Sequence, residues 1–241
     1  EYMEKVSEDT HGLAIAAIPQ IVENMTEANN TLEKVQKGLK DYLETKRLYF
    51  PRFFFLNDAD LLSILAETKD PTLVQPHIGK AFEGIGTVIF NKEATIIQGM
   101  ISPEGENVNF FRECDVDSPA NKGNVEKWLL EVEEIHFDTL RLRGHESNGD
   151  YAAKPRPEWC VEWPGQIVIL TSCLVWTTET YEALKRQKVK EHSKHLHDQL
   201  SDIIVLVRGE MTRNARTAVG AMVTLDVHSR DIVDEYVDNK V

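Results

Sequence analysis

The densest group of side chains able to do chemistry is His192, His195 and His197, in the run EHSKHLH. On a helix the first two would share a face, and imidazoles at that spacing can bind a divalent metal. Lys188, Lys190 and Lys194 surround them, and that positive charge disfavours a cation. A closed zinc site would also need a thiol or carboxylate ligand alongside. The expected reading is therefore an exposed helix start without metal. The three cysteines, Cys114, Cys160 and Cys173, are too scattered for a CxxC zinc site or a disulfide framework. Cys160 between Trp159 and Val161, and Cys173 within an apolar helix, read as small hydrophobes and not as nucleophiles. Gly79, Gly84 and Gly86 make a loose glycine-rich stretch, but no Lys-Ser/Thr follows and no helix opens behind them. The backbone cradle and lysine that hold phosphate are missing, so these glycines are expected as turn residues around a first strand. No catalytic, cofactor-binding or metal residue is expected in this chain.

Two further candidates are surfaces. From Ile101 to Asp138 there are three basic residues against ten acidic ones. Within that stretch Glu104, Glu106, Glu133 and Glu134 are the candidate interaction residues, suited to a basic partner or to another part of the same polypeptide. The competing reading is a solvated negative face. Phe50, Phe53, Phe54 and Phe55 put four of the nine phenylalanines into six residues around Arg52. Aromatics at a helix–proline corner wedge packed layers together, so this cluster, Phe54 included, is expected in the core with Arg52 at its edge. An exposed docking patch is the alternative.

The elements that must position these residues follow from composition and periodicity. The chain has 241 residues, 27 Lys+Arg against 40 Asp+Glu, and a formal charge of −13. An acidic balance argues against phosphate-driven nucleic-acid binding and against attraction to anionic lipid or acidic tubulin. The longest apolar run, IVILTSCLVW from Ile167 to Trp176, is about half of a membrane span. The start EYMEKVSEDT has neither a basic n-region nor an apolar h-region and does not begin with Met. A reduced intracellular setting and a piece of a longer protein are the expectations.

Ile18, Ile21, Met25, Ala28, Leu32, Val35, Leu39, Tyr42 and Tyr49 recur at helical spacing. They predict a long helix from Ile18 to Phe50 whose seam packs on other helices, with Pro19 in its first turn and Pro51 ending it. A short helix from Asp58 to Glu67 follows, with Asn57 as N-cap, and Pro71 opens another. GTVIF, TIIQGMI and NVNFF, separated by turn-forming residues, predict an antiparallel β-meander. A helix stripe from Val125 ends near Arg143, before the loop-like GHESNGD. Another helix follows RPEW, with Trp163, Ile167, Leu170, Leu174, Thr177, Tyr181 and Leu184 as its seam. The charged stretch LKRQKVKEHSKH is then a connection or a helix end. Two helices close the chain, at His195–Met211 and Ala215–Tyr236, packed as a hairpin turned at Thr212–Asn214. The fold class expected is mainly α, elongated antiparallel helical bundles with a small antiparallel β-meander insert. The organisation is a helical bundle over 1–83, the insert over 84–117 and a C-terminal bundle over 118–241.

Several stretches resemble one family. YLETKRLYFPRFFFLNDADLLSILAETKDPTLVQPHIGKAFEGI from Tyr42 to Ile85 is similar to the linker region of dynein heavy chains, the axonemal ones above all. SPEGE at Ser102, VEKWLLEVE at Val125, RPEWCVEWPGQIVILTSCLVW from Arg156 and LVRGEMTRNARTAVGAMVTLDVHSRDIV from Leu206 follow in the family's order. AETKDP and VQPH resemble single-headed inner-arm chains. The resemblance implies a non-catalytic lever, a rod of helical bundles lying across a ring of six AAA+ modules and ending just before the first. ATP and Mg would belong to that ring, outside this chain. The implied partners are the ring of the same heavy chain and other dynein chains, with microtubules reached only through the parent. The implied location is the axoneme of a cilium or flagellum. A freestanding helical scaffold, or a metal- or cysteine-dependent enzyme, are the readings that compete with it.

Overall fold

A computed structural model describes residues 2–66 and 70–239. It divides the chain into two units, Glu1–Leu62 and Ser63–Val241. The expected end of the second helix at Glu67 falls outside the described residues.

The first unit opens with α1 (Tyr2–Glu8) and α2 (Gly12–Ala16), followed by the 29-residue α3 (Ile21–Tyr49). Helix α3 begins three residues later than its apolar periodicity suggests. Pro19 lies in the turn before it, and Gln20 enters with a φ of 60°, a left-handed conformation that separates α2 from α3. Phe50 is extended, as the residue before a proline must be, and Pro51–Phe55 is a 3-10 helix. With three residues per turn, Phe50 and Phe53 fall on one side. Both are fully buried and meet edge to face, at 5.0 Å between centroids. Phe54 and Phe55 point to solvent, 55% and 71% exposed, which corrects the expectation that the whole cluster is core. Arg47 fastens the corner by donating to the Leu56 carbonyl and to the Asp58 carboxylate. Asn57 caps the next helix, α4 (Asp58–Ala66), its Oδ1 accepting from the Asp60 amide at 2.8 Å.

In the second unit, Asp70 caps a 3-10 turn at Pro71–Val74 that leads into α5 (Gln75–Ala81). Strands β1 (Thr87–Phe90), β2 (Ile96–Ile101) and β3 (Asn107–Asp115) follow as an antiparallel meander in the order β1-β2-β3. Edge strand β1 is not left bare at Val88. The Gln75 side-chain amide donates to the Val88 carbonyl and accepts from its N–H, as a neighbouring strand would. Gly99 is required where β2 bulges, since a Cβ there would sit 2.7 Å from the Val108 carbonyl oxygen. Along β3, Phe110 and Cys114 turn inward while Asn107 and Asn109 stay wet. That inner face lies on α6 (Val125–Ala153).

Helix α6 runs ten residues past Arg143, straight through GHESNGD. The expected loop is helix because its small and polar residues face neighbours. Gly144 lets Leu170 come within ordinary contact of where a Cβ would be, and Ser147 is fully buried. RPEWCVE forms a separate helix α7 (Arg156–Glu162), which Trp163 and Pro164 divide from α8 (Gly165–Lys185). Helix α8 buries Ile167, Val168, Thr171, Ser172 and Ala183. The expected seam residues Leu170, Leu174, Tyr181 and Leu184 are 40–64% exposed. Helix α9 (Val189–Val207) begins six residues earlier than expected. Its buried line of His192, Leu196, Leu200 and Ile203 has a histidine where periodicity seeks an apolar residue. Helix α10 (Arg213–Asn239) packs on α9 and α8, and the core between them joins Trp159, Cys160, Val168, Ile203, Val219 and Met222. The fold is mainly helical with one small antiparallel sheet.

Candidate functional site

His192 and His195 share a face as expected, with ring centroids 6.4 Å apart, but the three histidines do not converge on one point. Nε2 of His192 meets Thr180 Oγ1 at 2.9 Å, His195 pairs with Gln199, and His197 bonds Asp234 at 2.8 Å. His192 is buried, and that burial holds its pKa below the usual imidazole value. Among the described residues no three His, Cys, Asp or Glu side chains are grouped to hold a metal ion. Cys114 and Cys160 are buried thiols. Burial, reinforced by Glu131, pushes Cys114 up to about 12, and burial pushes Cys160 up to about 11. Neither forms thiolate at neutral pH. Cys173 is exposed, so it is not the core hydrophobe its apolar neighbours suggested. Gly79 lies inside α5, and only Gly84 and Gly86 occupy the turn before β1. A strand and not a helix follows them.

The four candidate glutamates occupy different levels of the second unit. Glu104 and Glu106 lie in the β2–β3 turn, whereas Glu134 on α6 comes within 4.0 Å of Arg112 on β3. Six residues of strand, roughly 20 Å, separate Arg112 from Glu106. Glu133 is on α6 beside Glu134 and half-buried. Glu106 has an internal task. Both its carboxylate oxygens accept from the Gly165 N–H, at 3.1 and 3.3 Å, where α8 starts and its unpaired amides concentrate positive charge. The pair Arg112–Glu131, extended by Asn121, neutralises part of the acidic stretch internally.

What the second unit does bring together is a set of polar pins at helix crossings. Arg156 on α7 and Asp226 on α10 form a bidentate pair with both N–O distances at 2.7 Å. Ser147 on α6 accepts from the Trp159 indole through its hydroxyl and its carbonyl, and from Thr171 on α8. Asp150 accepts from Lys154 and from the Trp163 indole, and its pKa is lowered, chiefly by the Lys154 bond. Asp234 on α10 accepts from Ser193 and His197 on α9. Burial raises the Asp234 pKa, but those bonds outweigh it and hold the carboxyl below its usual value. At the α9–α10 turn, Arg208–Thr212 and not Thr212–Asn214, Arg216 reaches back to the carbonyls of Val207 and Gly209. Gly165 and Ala218 approach so closely that a Cβ on the former would be 3.2 Å from the Ala218 methyl.

The periodicity that revealed these helices did not reveal the pins. Arg156 and Asp226 stand 70 residues apart, and each alone reads as a surface charge. Ser147 on α6 and the adjacent Thr171 and Ser172 on α8 share no helical period, so their meeting inside the unit left no mark in the sequence. A different surface remains on α3, where Leu43 is the one buried residue among those described. Met25, Leu32, Val35, Leu39 and Tyr42 are 40–66% exposed. No described helix is long and apolar enough to cross a membrane.

Residues 1–147 match the family described as dynein heavy chain, N-terminal region 2. Dynein axonemal heavy chain 3 of Homo sapiens is 44% identical over 240 residues, covering 99% of this chain and 6% of that protein. Dynein axonemal heavy chain 12 of Mus musculus is 41% identical over 240 residues, 99% of this chain and 8% of that protein. Dynein axonemal heavy chain 1 of Homo sapiens is 37% identical over 240 residues, 99% of this chain and 6% of that protein. The chain thus spans less than a tenth of the length of these relatives.

Proposed function

The chain belongs to the dynein heavy chains, as part of their N-terminal region 2, and from that premise we propose that it is a lever segment of an axonemal motor. It carries ATP-driven rearrangements of an AAA+ ring into a stroke that slides microtubules in a cilium or flagellum. The ring of the same heavy chain is its direct partner, other dynein chains are its neighbours, and microtubules are met through the parent. The sequence runs AETKDP and VQPH favour a single-headed inner-arm chain. In this reading 1–83 and 118–241 are successive bundles of the rod, with the meander of 84–117 set between them. Glu104, Glu133 and Glu134 are contact residues for another part of the parent.

The family match carries the reading, and the physical chemistry of the second unit supports it. A lever must move strain between its ends without absorbing it, which calls for close packing and fixed helix crossings. The shared core of α7 to α10, the Gly165–Ala218 approach and the bidentate Arg156–Asp226 pair meet that requirement. The bare seam of α3 is the face on which further helices of a longer rod would pack.

The test is Met222→Pro in the full-length heavy chain. Met222 is fully buried in α10, and a proline there removes a helix hydrogen bond and clashes with the preceding turn, at about 3 kcal/mol or more. Microtubule gliding is expected to slow more than basal ATP turnover. Gliding at the normal rate would overturn the lever reading, and saturable ATP binding by the isolated chain in calorimetry would overturn its non-catalytic part.

A further inference from the structure

The helices of the second unit enclose a small polar cavity that the mechanical reading does not use. Tyr151 on α6, Arg156 on α7, Ser172 and Trp176 on α8, Gln199 on α9 and Asp226 on α10 are among its walls. It leaves about 10 Å³ for the centre of a water-sized body to occupy. Three buried polar atoms of those walls have no protein partner: Arg156 Nε, Ser172 Oγ and Trp176 Nε1. For Arg156 the reason is geometric. Both terminal nitrogens of its guanidinium are engaged by Asp226, so the Nε–H, on a different edge of the plane, is left to find its own acceptor.

A buried donor without an acceptor bears the full cost of its desolvation, and native interiors avoid it. Three such atoms around one cavity call for a shared partner. That partner must accept from two N–H groups, exchange a hydrogen bond with a hydroxyl, and fit where only one small molecule fits. A cation is excluded by the two N–H donors. An anion would accept from both, but the Asp226 and Glu179 carboxylates line the same walls and oppose it. We propose that the cavity is a binding site for a single, permanently held water molecule, which accepts from Arg156 Nε and Trp176 Nε1 and donates to Ser172 Oγ. Three hydrogen bonds is the usual complement of a buried water. The water ties α7 to α8 at the residue that also ties α7 to α10, so three helices meet at one hydrated node. This site stands or falls independently of the lever reading.

A crystal structure of the 241-residue chain grown in bromide tests it directly. The expected result is a solvent peak within about 2.7–3.2 Å of all three atoms, with no anomalous signal. A bromide peak there, an empty cavity, or the three atoms paired with protein groups would each overturn the proposal. In solution, oxygen-17 relaxation dispersion should detect one long-lived internal water that disappears in Ser172→Leu, whose side chain fills the space. Trp176→Phe keeps an aromatic ring while removing one donor, and should shorten the residence time by roughly tenfold, the worth of one hydrogen bond. An unchanged residence time in a folded Trp176→Phe would also overturn it.

Discussion

Replacing Arg156 or Asp226 singly by alanine takes one partner from an ion pair whose side chains are 11% and 16% exposed. The survivor keeps its charge in a place that water barely reaches, and breaking such a pair costs about 3–5 kcal/mol. An exposed pair would give about 0.2–1 kcal/mol, so the two cases are well separated. Removing both partners leaves no orphaned charge. The double variant should therefore be more stable than the sum of the singles implies, by about 1.5–3 kcal/mol of coupling. Urea titration followed by tryptophan fluorescence is a suitable assay, because Trp159 and Trp163 lie close by in sequence and structure. With a slope of about 3 kcal/mol per molar, a loss of 3 kcal/mol lowers the midpoint by about 1 M. The penalty should also survive an increase in salt from about 0.05 to 0.5 M, since screening acts weakly on buried charge. Single variants that lose less than about 1 kcal/mol, or that add without coupling, would refute the view of this pair as an internal pin.

Phe53→Ala should destabilise the chain by about 3–5 kcal/mol and Phe54→Ala by less than about 1 kcal/mol, because Phe53 is fully buried and Phe54 is 55% exposed; equal losses in a denaturant titration would contradict the 3-10 geometry of the corner. A disulfide reagent at pH 8 should label Cys173 alone in the native chain and all three cysteines in guanidinium, since burial holds Cys114 and Cys160 at about 12 and about 11; rapid native labelling of a second thiol would count against the buried placement. His192 has a folded pKa below its unfolded value, so the unfolded chain binds more protons. The stability it contributes is present above about pH 6.5 and is lost as pH falls below that value. His192→Gln should flatten this part of the stability–pH curve, and an unchanged curve would show that His192 titrates alike in both states.

The parts of the fold that sequence made legible are those where one residue class repeats with one period. The meander was readable because β-branched residues and turn formers alternate from Gly84 to Cys114, and α10 because Ala218 and Met222 recur at helical spacing. The sequence places the end of α6 at Arg143 because Gly144, Ser147 and Gly149 carry turn propensity, and contact with α7 and α8 overrides it. The seam of α8 is hard to read because the first half of the helix is apolar nearly all round. Its inner line includes Thr171 and Ser172, which are acceptable inside only because of partners on other helices. Of the candidate site, the exposed glutamates could be named from charge alone. The task of Glu106 could not, since it depends on a residue 59 positions away.

The bare seam of α3 has a consequence for how such a chain is made. A ribosome releases α3 before any of the second unit, and at about 5–20 residues per second the rest of the chain takes on the order of ten seconds or more to emerge. When this 241-residue chain is made by itself, Met25, Leu32, Val35 and Leu39 stand uncovered through that interval, and in the folded chain they are still 40–66% exposed. An isolated amphipathic helix draws most of its stability from packing. In the chain expressed alone, nascent α3 is therefore expected to attract chaperones and to be a place where two growing chains can stick together. Variants that make the seam more apolar should reduce the yield of soluble chain in the cell even where the purified molecule is no less stable.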